Sequence, residues 1–228
     1  ITIEAMSDKS QDLVIDVQKY FAFEVPDVDK AQSVPGLPEK YQEKSVKGLA
    51  LAREKFIGAL VAGKAQATAD EEAKNSTYKT GATNIVTATN KTKAAIRAAL
   101  TSAIVKLREN NFDDSGVIEI APADYALFKD ELIDLKTNND ELIKRGVVGM
   151  FDNYEVKSTN NIYNDGSHTY AIVRSKHAIA FAGQINKVEA GRMEKRFSDY
   201  IRGLDVYGAK IIDQKQLVCV KIPMVATA

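Results

Sequence analysis

The sequence is poor in the residue types that metal sites and general acid–base centres most often use. It has 228 residues, with one cysteine, two histidines and no tryptophan. The lone Cys219 excludes a disulfide within the chain and a cysteine-rich zinc site, and its apolar neighbours predict a small buried side chain in a strand. Histidine is the commonest general base, yet neither His168 nor His177 has a second ligand at helical spacing.

Motifs for nucleotide binding and hydrolysis are also missing. The sequence contains no Walker loop, no dinucleotide fingerprint and no Gly-x-Ser-x-Gly elbow. The acidic run Asp70–Glu72 is interpreted as a solvated helix end, because sequence neighbours do not share a helix face. The turn Asp113–Gly116 lacks the alternating oxygen ligands and the closing glutamate of a calcium loop. We therefore expect no cofactor and no metal ion, and we predict that the chain is not an enzyme.

Neither sign of charge is in excess. Lysine plus arginine number 31, and aspartate plus glutamate also number 31. A dedicated nucleic-acid binder normally carries a basic excess, so such a role is not expected. Copies of a chain with zero net charge lack the like-charge repulsion that keeps molecules apart. A protein that must associate with itself tolerates this lack of repulsion. No run of about 18 apolar residues predicts a membrane span, and without a visible signal peptide we expect folding in the cytoplasm.

The longest periodic pattern predicts a helix over residues 37–69. Tyr41, Leu49 and Phe56 recur at helical spacing on its apolar stripe, and the prolines at its start are tolerated in a first turn. Apolar alternation over residues 11–25 predicts one long strand with a defect near Gln18 or Lys19.

Shorter patterns complete an α+β class, because helices and strands do not alternate regularly. The predicted elements are a helix over 91–109 capped by Thr89 or Asn90, a strand over 117–121, a helix from Pro122, a hairpin of strands 154–158 and 169–174, a buried strand over 177–184 and a last strand over 217–225.

The densest charge cluster lies in VEAGRMEKRF, residues 188–197. Its candidate subunit-contact residues are Glu189, Arg192, Glu194 and Arg196. In one interpretation these side chains form ion pairs between subunits or contact a polyanion. In the other the cluster is a solvated turn, in which each exposed pair contributes about 0–1 kcal/mol.

Several motifs follow the order and spacing found in the major capsid proteins of tailed bacteriophages. They are GMFDNYEVKSTNN (149–161), AIAFAGQI (178–185), Val188-Glu189 with Arg192, Phe197 and Asp199, RGL (202–204), YGAK (207–210), IAPADYALF (120–128) and the segment 20–32. The sequence resembles this family over nearly its whole length. The resemblance implies an α+β fold of the Hong-Kong-ninety-seven type, with a long spine helix, a peripheral domain and an axial domain.

By position, the resemblance also divides the chain into domains. Residues 1–25 correspond to a remnant of the extended loop and the first strand. Residues 26–78 and 176–228 correspond to the peripheral domain with the spine helix, and residues 79–175 to the axial domain. The ascending strand of the extended loop and the N-terminal arm have no counterpart, so the chain is interpreted as N-terminally incomplete.

The resemblance implies a structural subunit of an icosahedral phage or prophage capsid. Copies would form hexamers and pentamers that enclose the DNA genome and touch the DNA only non-specifically. Scaffolding and portal proteins would be further partners, with assembly in the bacterial host cytoplasm and a final place in the virion capsid. Two alternatives stay open, namely an encapsulin-like shell around an enzyme cargo, and an unrelated α+β enzyme with a pocket converging on His168 or His177.

Overall fold

The computed structural model of this chain describes residues 11–27, 37–64, 81–112, 115–134 and 149–224. The acidic run at 70–72 and residues 113–114 of the rejected calcium loop lie outside these ranges. The elements in chain order are β1 (Val17–Pro26), α1 (Leu37–Val61), β2 (Ile85–Thr87), α2 (Lys93–Glu109), β3 (Gly116–Ile120), α3 (Pro122–Asp134), β4 (Met150–Phe151), β5 (Tyr154–Ser158), β6 (His168–Ser175), β7 (Ile179–Arg192), β8 (Ser198–Ile211) and β9 (Leu217–Pro223).

The strands build two sheets. The first is antiparallel and has the order β1-β8-β7, and the second has the order β2-β9-β6-β3-β5-β4. Within the second sheet, β2 pairs with β9 and β3 with β5 in parallel, while its other pairs are antiparallel. One antiparallel and one mixed sheet, with helices that do not alternate regularly with the strands, confirm the predicted α+β class.

Two hydrophobic cores share the six-stranded sheet. Helices α2 and α3 cover one face, and helix α1 with the three-stranded sheet covers the other. Because successive strand residues point to opposite faces, Val173 and Val218 enter the first core while Ile172 and Cys219 enter the second. The predicted burial of Cys219 is confirmed, since 1% of its surface is exposed.

Helix α1 confirms the predicted long helix but ends at Val61 rather than at residue 69. The backbone N–H of Gly63 donates to the Leu60 carbonyl at 3.0 Å, and that of Lys64 donates to the Ala59 carbonyl at 2.8 Å. Gly63 has φ 69°. These two bonds and the left-handed glycine form a Schellman motif, which satisfies the last carbonyls and stops the helix.

Strand β1 begins at Val17, and the predicted defect near Gln18 or Lys19 is wrong. Its pairing with β8 runs without interruption from Val17 opposite Tyr207 to Pro26 opposite Ser198. Residues 11–16 lie against β8 without joining the ladder. Gly208 permits this close approach, because a Cβ at that position would overlap the backbone of the incoming segment.

Three further predictions differ from the structure. The hairpin of strands 154–158 and 169–174 is wrong, because β3 lies between β5 and β6. Helix α2 is capped by Thr92, whose side chain accepts from the Ala95 N–H at 3.4 Å, rather than by Thr89 or Asn90. The segment 177–184 is not buried throughout, since Phe181 is 40% exposed.

The last strand lies apart from the two strands that precede it. β9 pairs with β6 along its length and with β2 through Cys219, Val220 and Lys221. It therefore belongs to the sheet built from residues 79–175, while β7 and β8 belong to the three-stranded sheet.

Candidate subunit-contact surface

The charge cluster lies on a long hairpin. β7 and β8 each contain 14 residues, and a turn at residues 193–197 joins them. β1 pairs along the other side of β8. The turn ends in Phe197, which is 85% exposed. The hairpin therefore ends in a charged turn with a large apolar side chain in solvent.

Glu189 pairs within the chain, across the hairpin. It lies opposite Arg202 in the register of β7 and β8, and its Oε2 accepts from the Nε of Arg202 at 3.0 Å and from Nη2 at 2.8 Å. Lys187 pairs with Glu189 from the same strand. Hydrogen bonds from Lys187 and then from Arg202 lower the pKa of the Glu189 carboxyl.

The two arginines of the cluster reach toward β1. Arg192 donates from Nη2 to the Asp27 carboxylate at 2.7 Å and lies 3.7 Å from that of Asp199. Arg196 lies in the turn, with its Nη1 3.5 Å from the Glu24 carboxylate.

Glu194 is exposed in the same turn. The structure thus brings Glu189, Arg192 and Arg196 into ion pairs within one chain. Whether the four predicted residues also contact another subunit stays a prediction.

Two glycines on the hairpin are covered by aromatic rings from the facing strand, a feature that sequence reasoning missed. Phe21 lies opposite Gly203, and Tyr200 lies opposite Gly191. A Cβ at either glycine would overlap the ring. The guanidinium of Arg202 stacks on the Tyr200 ring at 5.3 Å. The sequence holds these residues, but their pairing becomes visible only with the strand register.

Helix α1 is attached to the hairpin by an ion pair with a buried carboxylate, a feature that sequence reasoning also missed. Arg53 on α1 donates from Nε to Asp205 Oδ2 at 2.6 Å and from Nη2 to Oδ1 at 2.5 Å. The Asp205 side chain is 1% exposed. The hydrogen bond to Asp205 raises the pKa of Arg53. The guanidinium also lies 5.8 Å from the ring centre of Phe181 and 6.0 Å from that of Tyr207.

Only the second half of α1 is packed into the core. Phe56 and Leu60 are buried, whereas Tyr41 is 51% and Val46 44% exposed. The apolar stripe predicted from periodicity therefore splits into a buried half and a solvent-facing half. The latter is an apolar surface that the described residues of the chain leave exposed.

The two histidines lie at opposite ends of strand β6, so the fold does not bring them together. His168 begins β6 and His177 follows its end. Across the described residues, three or more histidine, cysteine or acidic side chains nowhere gather as a metal site would require. The helices described are also too short or too polar to cross a membrane.

Comparison with solved structures identifies the fold as that of phage capsid subunits. The chain is similar to a structure from Mycobacterium phage Che8, with 22% identity and a TM-score of 0.77 over 96% of this chain and 76% of that one. It is also similar to the capsid of cyanophage P-SCSP1u (15% identity, TM-score 0.72, 97% and 80% covered) and to the mature capsid of bacteriophage PhiM1 (14% identity, TM-score 0.67, 99% and 80% covered).

No protein-family model and no curated protein sequence matches the chain. The structural likenesses confirm the phage major-capsid-type fold that the sequence motifs predicted.

Proposed function

We propose that the chain is a structural subunit of an icosahedral phage or prophage capsid. Copies form hexamers and pentamers, and these enclose the DNA genome. The observation that carries the proposal is the fold shared with a phage structure over 96% of the chain at a TM-score of 0.77. The subunit acts by packing, so no catalytic residue is assigned to it.

The uncovered apolar side chains support self-association. Tyr41 and Val46 on the spine helix and Phe197 on the hairpin turn lie largely in solvent. Complete burial of one such side chain stabilises an interface by about 1.5–3 kcal/mol. Closed shells are built from repeated heterologous contacts of this kind.

The charged turn is proposed as part of the same contact surface. Arg196 and Glu24 are 72% and 33% exposed and 3.5 Å apart, so their pairing within the chain contributes at most about 1 kcal/mol. The pairs of Glu189 and Arg192 are similarly exposed, so Glu189, Arg192 and Arg196 can exchange their partners for side chains of a neighbouring subunit at little cost. Glu194 adds a further exposed charge to this surface.

The domain division is proposed with one change from the sequence-based assignment. Strands β7 and β8 and helix α1 form the peripheral domain, and β1 pairs with β8 in the same sheet. The six-stranded sheet with α2 and α3 forms the axial domain, and β9 belongs to it because β6 and β2 flank that strand. Residues 1–25 stay assigned to the extended loop and the first strand, which corresponds to β1.

Further partners and the location follow from the proposed role. Scaffolding and portal proteins guide assembly in the bacterial host cytoplasm, and the product is the virion capsid. The equal numbers of basic and acidic residues, 31 each, support only non-specific contact with packaged DNA.

Sedimentation velocity of the purified chain, with and without the scaffold encoded beside its gene, tests the proposal. We expect species of capsomer or shell size. A strictly monomeric protein at high concentration under both conditions would contradict it. Shells that fill with an enzyme encoded next to the gene would favour the encapsulin-like alternative.

A further inference from the structure

Strand β7 presents a long backbone edge. Among the described residues it pairs with β8 alone, and its 14 residues include no proline. Proteins usually protect such an edge with proline, a short strand or a bulge, because it offers unpaired N–H and C=O groups to another strand. β7 has a single irregularity, between Gly183 and Ile185. The regular segment from Ile185 to Arg192 is therefore open for pairing.

The ladder with β8 fixes which backbone groups point outward. The N–H of Met193 donates to the Ser198 carbonyl at 3.0 Å. Bonded and non-bonded pairs alternate in an antiparallel ladder, so the pairs formed by Glu189 and by Lys187 with β8 are also of the bonded type. The intervening residues, including Val188 and Ala190, direct their N–H and C=O groups away from β8.

Two charged side chains limit which strand can add to this edge. Lys187 and Glu189 are 68% and 35% exposed on one face of the sheet, and Val188 is 39% exposed on the other. Like charges that face each other across strands are destabilising, and opposite charges are stabilising. The added strand must therefore place an acidic group opposite Lys187 and a basic group opposite Glu189.

A second copy of β7 meets both requirements in one register. When two antiparallel copies are related by a two-fold axis through Val188, Lys187 of each lies opposite Glu189 of the other. An axis through residue 187 or 189 would place identical charges face to face. With the axis at Val188, the outward groups of Val188 meet those of the second copy as a bonded pair.

We propose that two copies of the chain pair edge to edge along β7, antiparallel about a two-fold axis at Val188. Their sheets then form one continuous sheet in the order β1-β8-β7-β7-β8-β1. The contact is isologous, because each copy uses the same segment. The inference rests on the proposed function for the expectation that copies of this chain meet, and it names one of the surfaces by which they do so.

Single-cysteine cross-linking tests the register. Cys219→Ala removes the native thiol, and Val188→Cys is added to it. The two-fold pairing brings the two residue-188 Cα atoms to about 5.5 Å, which lies within disulfide range. In the matched variant, Ala190→Cys, the two thiols sit on the same edge but about 14 Å apart, four residues out of register. Under mild oxidation we expect covalent dimers from the first variant and none from the second.

Absence of the residue-188 cross-link, or equal cross-linking of both variants, would overturn the inference. A backbone variant gives an independent readout. Val188→Pro deletes an outward N–H and leaves the ladder to β8 intact, so it should weaken association at least tenfold with an unchanged circular dichroism spectrum. Val188→Thr is its control, and equal association of the two variants would also refute the pairing.

The outcomes separate this inference from the proposed function. If shells assemble but the residue-188 cross-link does not form, the result would support the capsid role and contradict the edge pairing. Covalent dimers of a chain that never forms capsomers or shells would support the pairing and contradict the capsid role.

Discussion

The attachment of the spine helix to the hairpin is tested by Arg53→Met. The substitution keeps an apolar stem of similar length but leaves the Asp205 carboxylate, 1% exposed, without its bidentate partner. Removing one partner of a buried ion pair costs about 3–5 kcal/mol, because the remaining charge is buried away from water and has no opposite charge to compensate it. We expect a loss of that size in the free energy of unfolding, measured by urea denaturation at pH 7.

A double-mutant cycle isolates the pair. Arg53→Met combined with Asp205→Leu removes both charges, and replacing a whole buried pair by apolar groups is often close to neutral. The double variant should therefore recover most of the stability that Arg53→Met loses. Full additivity of the two single losses would mean that the two side chains do not interact as described.

Arg108 supplies the matched control. It donates to Asp152 at 3.0 and 2.9 Å, again through two nitrogens, but the two side chains are 41% and 42% exposed. Exposed pairs contribute about 0–1 kcal/mol, so Arg108→Met should cost no more than that. Equal losses for Arg53→Met and Arg108→Met would refute the reasoning, since burial would then make no difference.

Three further predictions concern single positions. Burial raises the pKa of Cys219 from 9.0 to about 12, so the unfolded state releases its proton first and stability falls as pH rises from 9 toward 12. Cys219→Ala should reduce the loss between pH 8 and pH 10.5 by about 2 kcal/mol, and an unchanged loss in urea titrations would contradict this. Gly208→Ala should cost about 1–3 kcal/mol by overlap with the backbone of residues 11–16, whereas Gly183→Ala, with nothing nearer than 3.9 Å, should have less effect in the same assay. Asp124→Ala should cost about 3–5 kcal/mol in thermal or urea unfolding, because it removes the buried carboxylate 3.2 Å from Lys91; a loss below about 1 kcal/mol would show that this ion pair is not buried as described.

Elements with strong local periodicity could be predicted from the sequence. Helix α2 has its buried stripe at Ile96, Leu100, Ile104 and Leu107, in agreement with the predicted helix over 91–109. The strand at 154–158 matches the predicted range. In both cases the signal lies within a few neighbouring residues, so local sequence suffices.

Pairing between distant segments could not be predicted in the same way. A turn is present at Gly166, whose φ is 82°. However, β5 and β6 on either side of it do not pair, because β3, which comes earlier in the chain, lies between them in the sheet. Similarly, no local signal connects Arg53 with Asp205. Contacts of this kind depend on topology and register, which a single sequence does not fix.

The charge cluster could be located from the sequence, but the ion pairs that its side chains make within the chain could not, and its role as a contact surface stays a prediction. The residues of VEAGRMEKRF do form an exposed, charged end of a hairpin, but Glu189, Arg192 and Arg196 are held by Arg202, Asp27 and Glu24 of the same chain. Charge density along the sequence identifies a surface, whereas the partners come from the neighbouring strands.

Electron cryomicroscopy of the purified protein, with and without the scaffold encoded beside its gene, tests the central claim most directly. The account predicts closed particles with icosahedral symmetry, in which hexamers and pentamers of this fold form the wall. Exclusively monomeric particles at high concentration, with and without the scaffold, would contradict it.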